Sequence, residues 1–145
     1  MPLELLALLC TGLFAGAALY VSLVEHPVRL ECGTAPAIAE FRPSYRRGAV
    51  MQASLAAAGA LAGVADWARG HGSLPLVAGL LMAAVIAFTL VAIRPTNNRL
   101  LDPTRDPGSA ETAALLARWG RLHAARTLAG GLAFILLGLH LLGAR

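Results

Sequence analysis

Four long apolar stretches, separated by segments that carry most of the charge, dominate the hydrophobic pattern of this chain. They run from about Leu3 to Val24, Gly48 to Trp67, Leu74 to Ile93 and Leu122 to Leu142. Each is close to the roughly 20 residues with which an α-helix crosses about 30 Å of hydrocarbon. The pattern therefore predicts an all-α, integral membrane four-helix bundle.

Proline positions and local composition suggest where these helices end. Pro27 and Pro95 follow the first and third stretches, where proline disfavours continuation of a helix. Pro43 is expected to end a short interfacial helix over residues 35–41. Residues 109–121 contain good helix formers and predict a helix that extends the fourth span. Residues 1–145 are thus predicted to form a single transmembrane domain with short interfacial helices in its cytoplasmic connections.

Small residues recur at four-residue spacing in the first two stretches, as Gly12 and Gly16 and as Gly59 and Gly63. Such spacing lets helix backbones approach one another closely in lipid. It predicts close helix–helix contacts at these glycines.

Composition supports lipid as the main surroundings of the chain. Its 145 residues are 57% hydrophobic and 14% charged, with a mean hydropathy of +0.67, whereas soluble domains carry about 25% charged residues. A chain of this length accommodates four spans and short connections, which leaves no room for a separate soluble domain.

The positive charge predicts the orientation. All twelve basic residues are arginines, and nine of them lie in the two longer connections, four in the first and five in the third. Because positively charged connections stay in the cytoplasm, both long connections are expected there, with both termini outside and a bacterial inner membrane as the location. Charge placed between apolar stretches is typical of membrane topology, so nucleic acid is not an expected partner.

Polar side chains from all four predicted spans lie near the arginine-rich membrane face. Trp119, His123 and Arg126 follow i, i+4 and i+7 spacing and share one face of the fourth span. An ionisable group inside a span costs about 2.5–3.5 kcal/mol, so Arg126 is expected to face the bundle interior and to pair with Glu25. The remaining members of this predicted cluster are His26, Tyr45, Gln52, Thr96 and Asn97. Together they predict a shallow pocket that is open to a lipid-soluble molecule.

Four short motifs follow one another along the chain. They are Glu-His-Pro at residues 25–27, Tyr-Arg-Arg at 45–47 before Met-Gln at 51–52, Arg-Pro-Thr-Asn-Asn-Arg-Leu at 94–100, and Arg-Trp-x3-His-x2-Arg at 118–126. Their order resembles the anthrone oxygenase-like family of small membrane proteins, over nearly the whole chain. Some fungal members are linked to oxidation of anthrones to anthraquinones without a known cofactor, and many bacterial members have no assigned activity. The resemblance implies a membrane-embedded oxygenase that acts on a lipophilic aromatic, anthrone- or quinol-type substrate.

The implied reaction starts with removal of the acidic C–H proton opposite the anthrone carbonyl, with O₂ as co-substrate and no other cofactor expected. His123 is the expected base, because an unperturbed imidazole titrates near neutral pH, and His26 is the second candidate. Arg126, Asn97 and Tyr45 would stabilise the developing oxyanion. The expected substrate-binding residues are Trp119, Tyr45, Gln52, Glu25 and Thr96.

Two other functional classes fit the same residues. In the first class, the protein is a non-catalytic membrane accessory or lipid-binding subunit that acts as a homo-oligomer or with a protein partner. In the second class, it is a metal-dependent membrane oxidoreductase, in which His26, His123 and Glu25 supply two nitrogens and a carboxylate to iron, copper or zinc. In every case the bilayer and a lipophilic small molecule are the expected partners.

Overall fold

Four long helices account for most of residues 2–143, the part of the chain that the computed structural model describes. Helix α1 spans Leu3–Glu31, α2 spans Thr34–Ala68, α3 spans Leu74–Leu101 and α4 spans Ala110–Gly143. All four are long and apolar enough to cross a membrane. The protein is an all-α membrane four-helix bundle, and this prediction from the hydrophobic pattern is confirmed.

The bundle surface is apolar, as lipid contact requires. Large hydrophobic side chains such as Leu13, Val91 and Leu128 are exposed on it. Small side chains and a few large ones, including Phe14 and Met82, fill the interior between the helices. Because lipid solvates the outer face, the interior alone does not have to bury the apolar surface of the chain.

Glycines allow several helix pairs to approach closely. A Cβ at Gly63 would lie 2.7 Å from the carbonyl oxygen of Pro75, so only glycine fits where α2 meets α3. A Cβ at Gly12 would lie 2.9 Å from an aromatic ring of α4, and one at Gly59 would lie 3.2 Å from a side chain of α1. Nothing lies within 4 Å of such an atom at Gly16. The predicted close contact is therefore wrong at Gly16.

Helix α2 continues through Pro43, so the prediction of a separate interfacial helix over residues 35–41 is wrong. A proline inside a helix removes one hydrogen bond and costs about 3 kcal/mol. Tertiary packing opposes this cost, because Phe41 is buried in a second core cluster together with Leu116 and Trp119 of α4. This contact keeps the first turns of α2 in line with the rest of the helix.

Helices α2 and α4 exceed the thickness of a bilayer. They contain 35 and 34 residues, which corresponds to about 50 Å at 1.5 Å per residue. Their apolar stretches lie in their C-terminal parts, so the more polar residues 34–47 and 110–121 lie together on the same side of the bundle. We call this side, which carries the α1–α2 and α3–α4 connections, the site end, and the opposite side the far end.

Helices α1 and α3 each contain one π-helical segment, at Val21–Glu25 and Thr89–Ile93. The α-helical geometry resumes one residue before Pro27 and one residue before Pro95. Each proline therefore closely follows a π-helical segment inside a continuous helix. Neither proline ends its helix, contrary to the prediction from the sequence.

Candidate functional site

A cavity of about 470 Å³ lies between the four helices toward the site end. This volume is within the range of about 300–1,000 Å³ that is typical of small-molecule sites. Its wall is mainly apolar and includes the following polar or aromatic side chains: Tyr20, Glu25, Arg29, Phe41, Ser44, Tyr45, Gln52, Asn97, Trp119, His123 and Arg126. The cavity is thus suited to a lipophilic molecule that meets a few polar groups.

The cavity reaches the lipid-facing surface of the bundle. Met51 of α2 and Leu90 of α3 line it and are also exposed on the outside. Residues of both π-helical segments contribute to its wall, at one level of the bundle. Such segments shift the register of a helix and are frequent at functional sites, and no local sequence signal predicted them here.

Seven of the nine predicted site residues line this cavity, namely Glu25, Tyr45, Gln52, Asn97, Trp119, His123 and Arg126. The other two, His26 and Thr96, are buried but do not line it. Thr96 precedes Asn97 on α3, and neighbouring residues of a helix point about 100° apart. Thr96 is therefore not positioned to contact a molecule in the cavity.

His26 packs against α4 behind Trp119. The centroids of the two rings are 5.1 Å apart. A Cβ at Gly120 would lie 2.5 Å from Nε2 of His26, so the missing side chain at Gly120 makes room for the imidazole. That Nε2 atom is buried and has no hydrogen-bond partner within residues 2–143. The second candidate base thus faces the helix interface instead of the cavity.

His123 is held by a chain of hydrogen bonds. Its Nδ1 lies 3.1 Å from Oγ of Ser22, which in turn lies 2.9 Å from Oγ1 of Thr127. Thr127 Oγ1 donates to the backbone carbonyl of His123 at 3.0 Å. All three bonds form together only when Nδ1–H donates to Ser22 and Ser22 donates to Thr127, because a carbonyl only accepts. This network assigns the proton of neutral His123 to Nδ1 and leaves a lone pair on Nε2.

Asn97 connects three helices beside the cavity. Its Nδ2 donates to the hydroxyl of Tyr45 at 3.0 Å, and its Oδ1 accepts from Nε1 of Trp119 at 2.8 Å. The Trp119 indole stacks on the imidazole of His123, with ring centroids 4.7 Å apart. Since the Tyr45 hydroxyl accepts from Asn97, its own proton remains available for a donated bond. Asn97 therefore fixes the orientation of two aromatic side chains in the cavity wall.

Arg126 does not pair with Glu25, and this prediction is wrong. The Arg126 guanidinium donates to Oε1 of Gln52 at 2.8 Å and lies 5.1 Å from the ring centroid of Phe14. Glu25 instead pairs with Arg29, which is one turn away on the same helix. Within residues 2–143, Arg126 has no carboxylate partner. Its positive charge is consequently balanced only by a neutral amide and an aromatic face.

Arg29 is a buried residue of the site that was not among the site residues predicted from the sequence. Its guanidinium pairs with Glu25 and with Glu40 and donates to Oγ of Ser44 at 3.2 Å. The i, i+4 spacing of Glu25 and Arg29 was the available sequence signal. This network pairs Glu25 with a cation in the cavity wall at the site end.

The ligand set expected for a metal-dependent reaction does not come together within residues 2–143. The Glu25 carboxylate is engaged by Arg29, whose guanidinium also lies 3.5 Å from Nδ1 of His26. A cation this close to two proposed ligands repels a divalent metal ion. The metal-dependent alternative therefore lacks its expected arrangement of His26, His123 and Glu25.

Comparisons with known proteins agree with the motif order. Residues 41–136 match the family model described as Anthrone oxygenase. The chain is 32% identical over 129 residues to "Anthrone oxygenase tpcL" of Aspergillus fumigatus, in an alignment that covers 81% of this chain and 80% of that relative. No solved structure matches the chain. The chain therefore belongs to the anthrone oxygenase family.

Proposed function

We propose that this protein is a membrane-embedded oxygenase that oxidises a lipophilic, anthrone- or quinol-type aromatic with O₂, by base catalysis and without another cofactor. One observation carries the proposal: the same apolar cavity is lined by His123, whose Nε2 keeps its lone pair, and by Arg126, a cation that has no carboxylate partner within residues 2–143. Family membership supports the reaction class. The relative from Aspergillus fumigatus is named as an anthrone oxygenase.

For an anthrone, the overall reaction consumes one O₂ and yields one quinone and one water. Nε2 of His123 removes a proton from the CH₂ group opposite the carbonyl, and the electron pair delocalises onto the carbonyl oxygen. The anion passes one electron to O₂, and the radical pair combines to form a C–O bond. The resulting peroxide anion takes the proton back from His123. Removal of the second C–H proton then expels hydroxide, which His123 protonates to water.

The charge that develops on the carbonyl oxygen needs a positive or hydrogen-bonding partner. Arg126 and the Tyr45 hydroxyl both line the cavity and supply these groups. In an apolar, water-poor site, a fixed cation stabilises an oxyanion far more strongly than it does in water. Gln52 holds Arg126 in place, so the cation is positioned before the substrate binds.

The aromatic groups of the cavity provide a surface for a planar substrate. The stacked pair of Trp119 and His123 presents a flat face, on which an aromatic ring system packs favourably. Asn97 fixes the indole through its 2.8 Å hydrogen bond. Entry between Met51 and Leu90 would admit the substrate directly from lipid.

The test measures O₂ consumption and quinone absorbance together, with the full chain in lipid nanodiscs and with anthrones and quinols as substrates. The rate in empty nanodiscs is subtracted. His123→Gln keeps a polar side chain but removes the base, and we expect kcat to fall by about 10²- to 10⁴-fold. Ser54→Ala is the control, because Ser54 is exposed on α2 and does not line the cavity. Undiminished turnover in His123→Gln would refute the base role, and no O₂ uptake above empty nanodiscs would favour a non-catalytic accessory subunit.

We also propose that the site end faces the cytoplasm of a bacterial inner membrane and that both termini lie outside. The support is the distribution of arginine, because nine of the twelve lie between the first and second or between the third and fourth apolar stretches, at the site end. Cys32 is exposed at this end, whereas Cys10 is buried. A membrane-impermeant maleimide should therefore label Cys32 only after the membrane is permeabilised. Labelling of Cys32 in intact spheroplasts would show the opposite orientation, with the site end outside the cytoplasm.

A further inference from the structure

At the far end of the bundle, opposite the cavity, four titratable side chains gather from three helices and one connection. Asp66 lies in the last turn of α2, Glu4 in the first turn of α1, His140 near the end of α4, and His71 in the α2–α3 connection. Potential ligand atoms of Glu4, Asp66 and His71 lie within 4.8 Å of one another. Nε2 of His140 lies 3.7 Å from Oδ2 of Asp66. The proposed reaction uses none of these residues.

The Asp66 carboxylate is the buried centre of this group, with only 1% of the residue exposed. Its Oδ1 lies 2.7 Å from Nδ1 of His71. Its Oδ2 and the Nε2 of His140 are both buried, and neither has a hydrogen-bond partner within residues 2–143. A buried polar atom without a partner is costly, and 3.7 Å is too long for a hydrogen bond. A cation between the two atoms would satisfy both.

The local backbone directs His71 toward Asp66. Gly70 and Gly72 on either side of it have φ values of +87° and +81°, a conformation that favours glycine. The tight turn between α2 and α3 thereby brings His71 back over the end of α2. Because the side chain of His71 is 51% exposed, it also leaves a route from solvent to the buried carboxylate.

We infer that this group is a binding site for a divalent transition-metal ion, zinc above all, with Glu4, Asp66, His71 and His140 as ligands. Zinc bonds to imidazole nitrogen and carboxylate oxygen measure about 2.0–2.2 Å, which places two ligand atoms of a tetrahedral ion about 3.3–3.5 Å apart. The 3.7 Å between Asp66 Oδ2 and His140 Nε2 is close to this separation. The contact from His71 to Oδ1 must lengthen on binding, which its exposed position in a connection allows.

The charge of these four side chains also favours a divalent cation. Two carboxylates and two neutral imidazoles carry a net charge that a divalent cation cancels, and this neutrality matters most where the surroundings are apolar. Imidazole nitrogen and carboxylate oxygen are both ligands that zinc takes in proteins. The ion would join α1, α2 and α4 at the far end of the bundle, so it should increase the thermal stability of the folded protein.

The experiment uses the full chain, purified with an affinity tag that contains no histidine. The protein is stripped with EDTA and equilibrated with zinc chloride, and bound metal is measured by mass spectrometry after dialysis. We expect one zinc per chain, and zinc should raise the melting temperature. In His140→Gln we expect the affinity for zinc to fall at least tenfold and the melting temperature to be insensitive to zinc. Cobalt substitution should give the visible spectrum of a tetrahedral site with nitrogen and oxygen ligands.

His123→Gln is the matched control, because it removes an imidazole at the other end of the bundle by the same substitution. It should keep zinc binding at the level of the unchanged protein. Asp66→Asn adds a second variant in the site, and its melting curve without metal shows whether it folds. Equal zinc binding in His140→Gln and in the unchanged protein would overturn the inference, as would loss of zinc only in His123→Gln. Neither result depends on the oxygenase activity.

Discussion

The hydrogen-bond chain from His123 through Ser22 to Thr127 leads to a quantitative prediction for Ser22→Ala. The substitution removes the acceptor of the Nδ1 proton and the donor to Thr127. A neutral hydrogen bond contributes about 1 kcal/mol net, so loss of the bond to His123 should lower kcat about fivefold. If both bonds contribute to the transition state, about 2 kcal/mol is lost and kcat falls about 30-fold. Because Ser22 does not line the cavity, KM should change little.

The assay is steady-state turnover of an anthrone in nanodiscs, with kcat and KM determined separately. Ser22→Thr retains a hydroxyl and should recover most of the activity that Ser22→Ala loses. Ser54→Ala also deletes a serine hydroxyl, one that donates to the Val50 carbonyl on the exposed face of α2. It should turn over at the rate of the unchanged protein.

Three results would contradict this reasoning about Ser22. The first is an unchanged kcat in Ser22→Ala. The second is a rise in KM at constant kcat, which would mean that Ser22 affects binding and does not orient the base. The third is equal loss in Ser22→Ala and Ser22→Thr, because the hydroxyl would then not be the cause.

Three further predictions follow from the geometry. Arg126→Gln should lower kcat by about 10²- to 10³-fold, the usual effect of removing an oxyanion partner, and turnover at the unchanged rate would argue against that role. Gly120→Ala places a Cβ 2.5 Å from a buried imidazole and should destabilise the protein by about 1–3 kcal/mol in thermal or SDS unfolding, whereas Gly131→Ala meets open space and should not. Hydrogen bonds from the hydroxyl and N–H of Thr104 lower the pKa of the Asp102 carboxyl. A lowered folded-state pKa means stability that is present above the usual carboxyl range and lost as pH falls through that pKa. An NMR titration should therefore give Asp102 a lower pKa than that of an ordinary aspartate. Replacement of Asp102 by Asn should remove the contribution of this residue to the loss of stability at acid pH.

The hydrophobic pattern of the chain alone determines that four helices form a membrane bundle. It also determines at which end of the bundle the polar side chains of the site lie. Transfer of a 20-residue apolar segment into lipid depends on that segment alone, so each span is visible in local sequence. Helical periodicity likewise places Trp119, His123 and Arg126 on one face without knowledge of the neighbours. The order of motifs was sufficient to predict the family.

The tertiary structure decided which partner each of these side chains meets. Arg126 contacts Gln52 and not Glu25, and Asp66 meets His140, which is distant in sequence. Pro43 stays inside α2 because Phe41 is packed against α4. These outcomes depend on the rotation and axial offset of each helix against the others. Close contacts, such as that of Gly63 with the backbone of Pro75, fix this rotation and offset. The periodicity within a single helix contains no information on that rotation or offset.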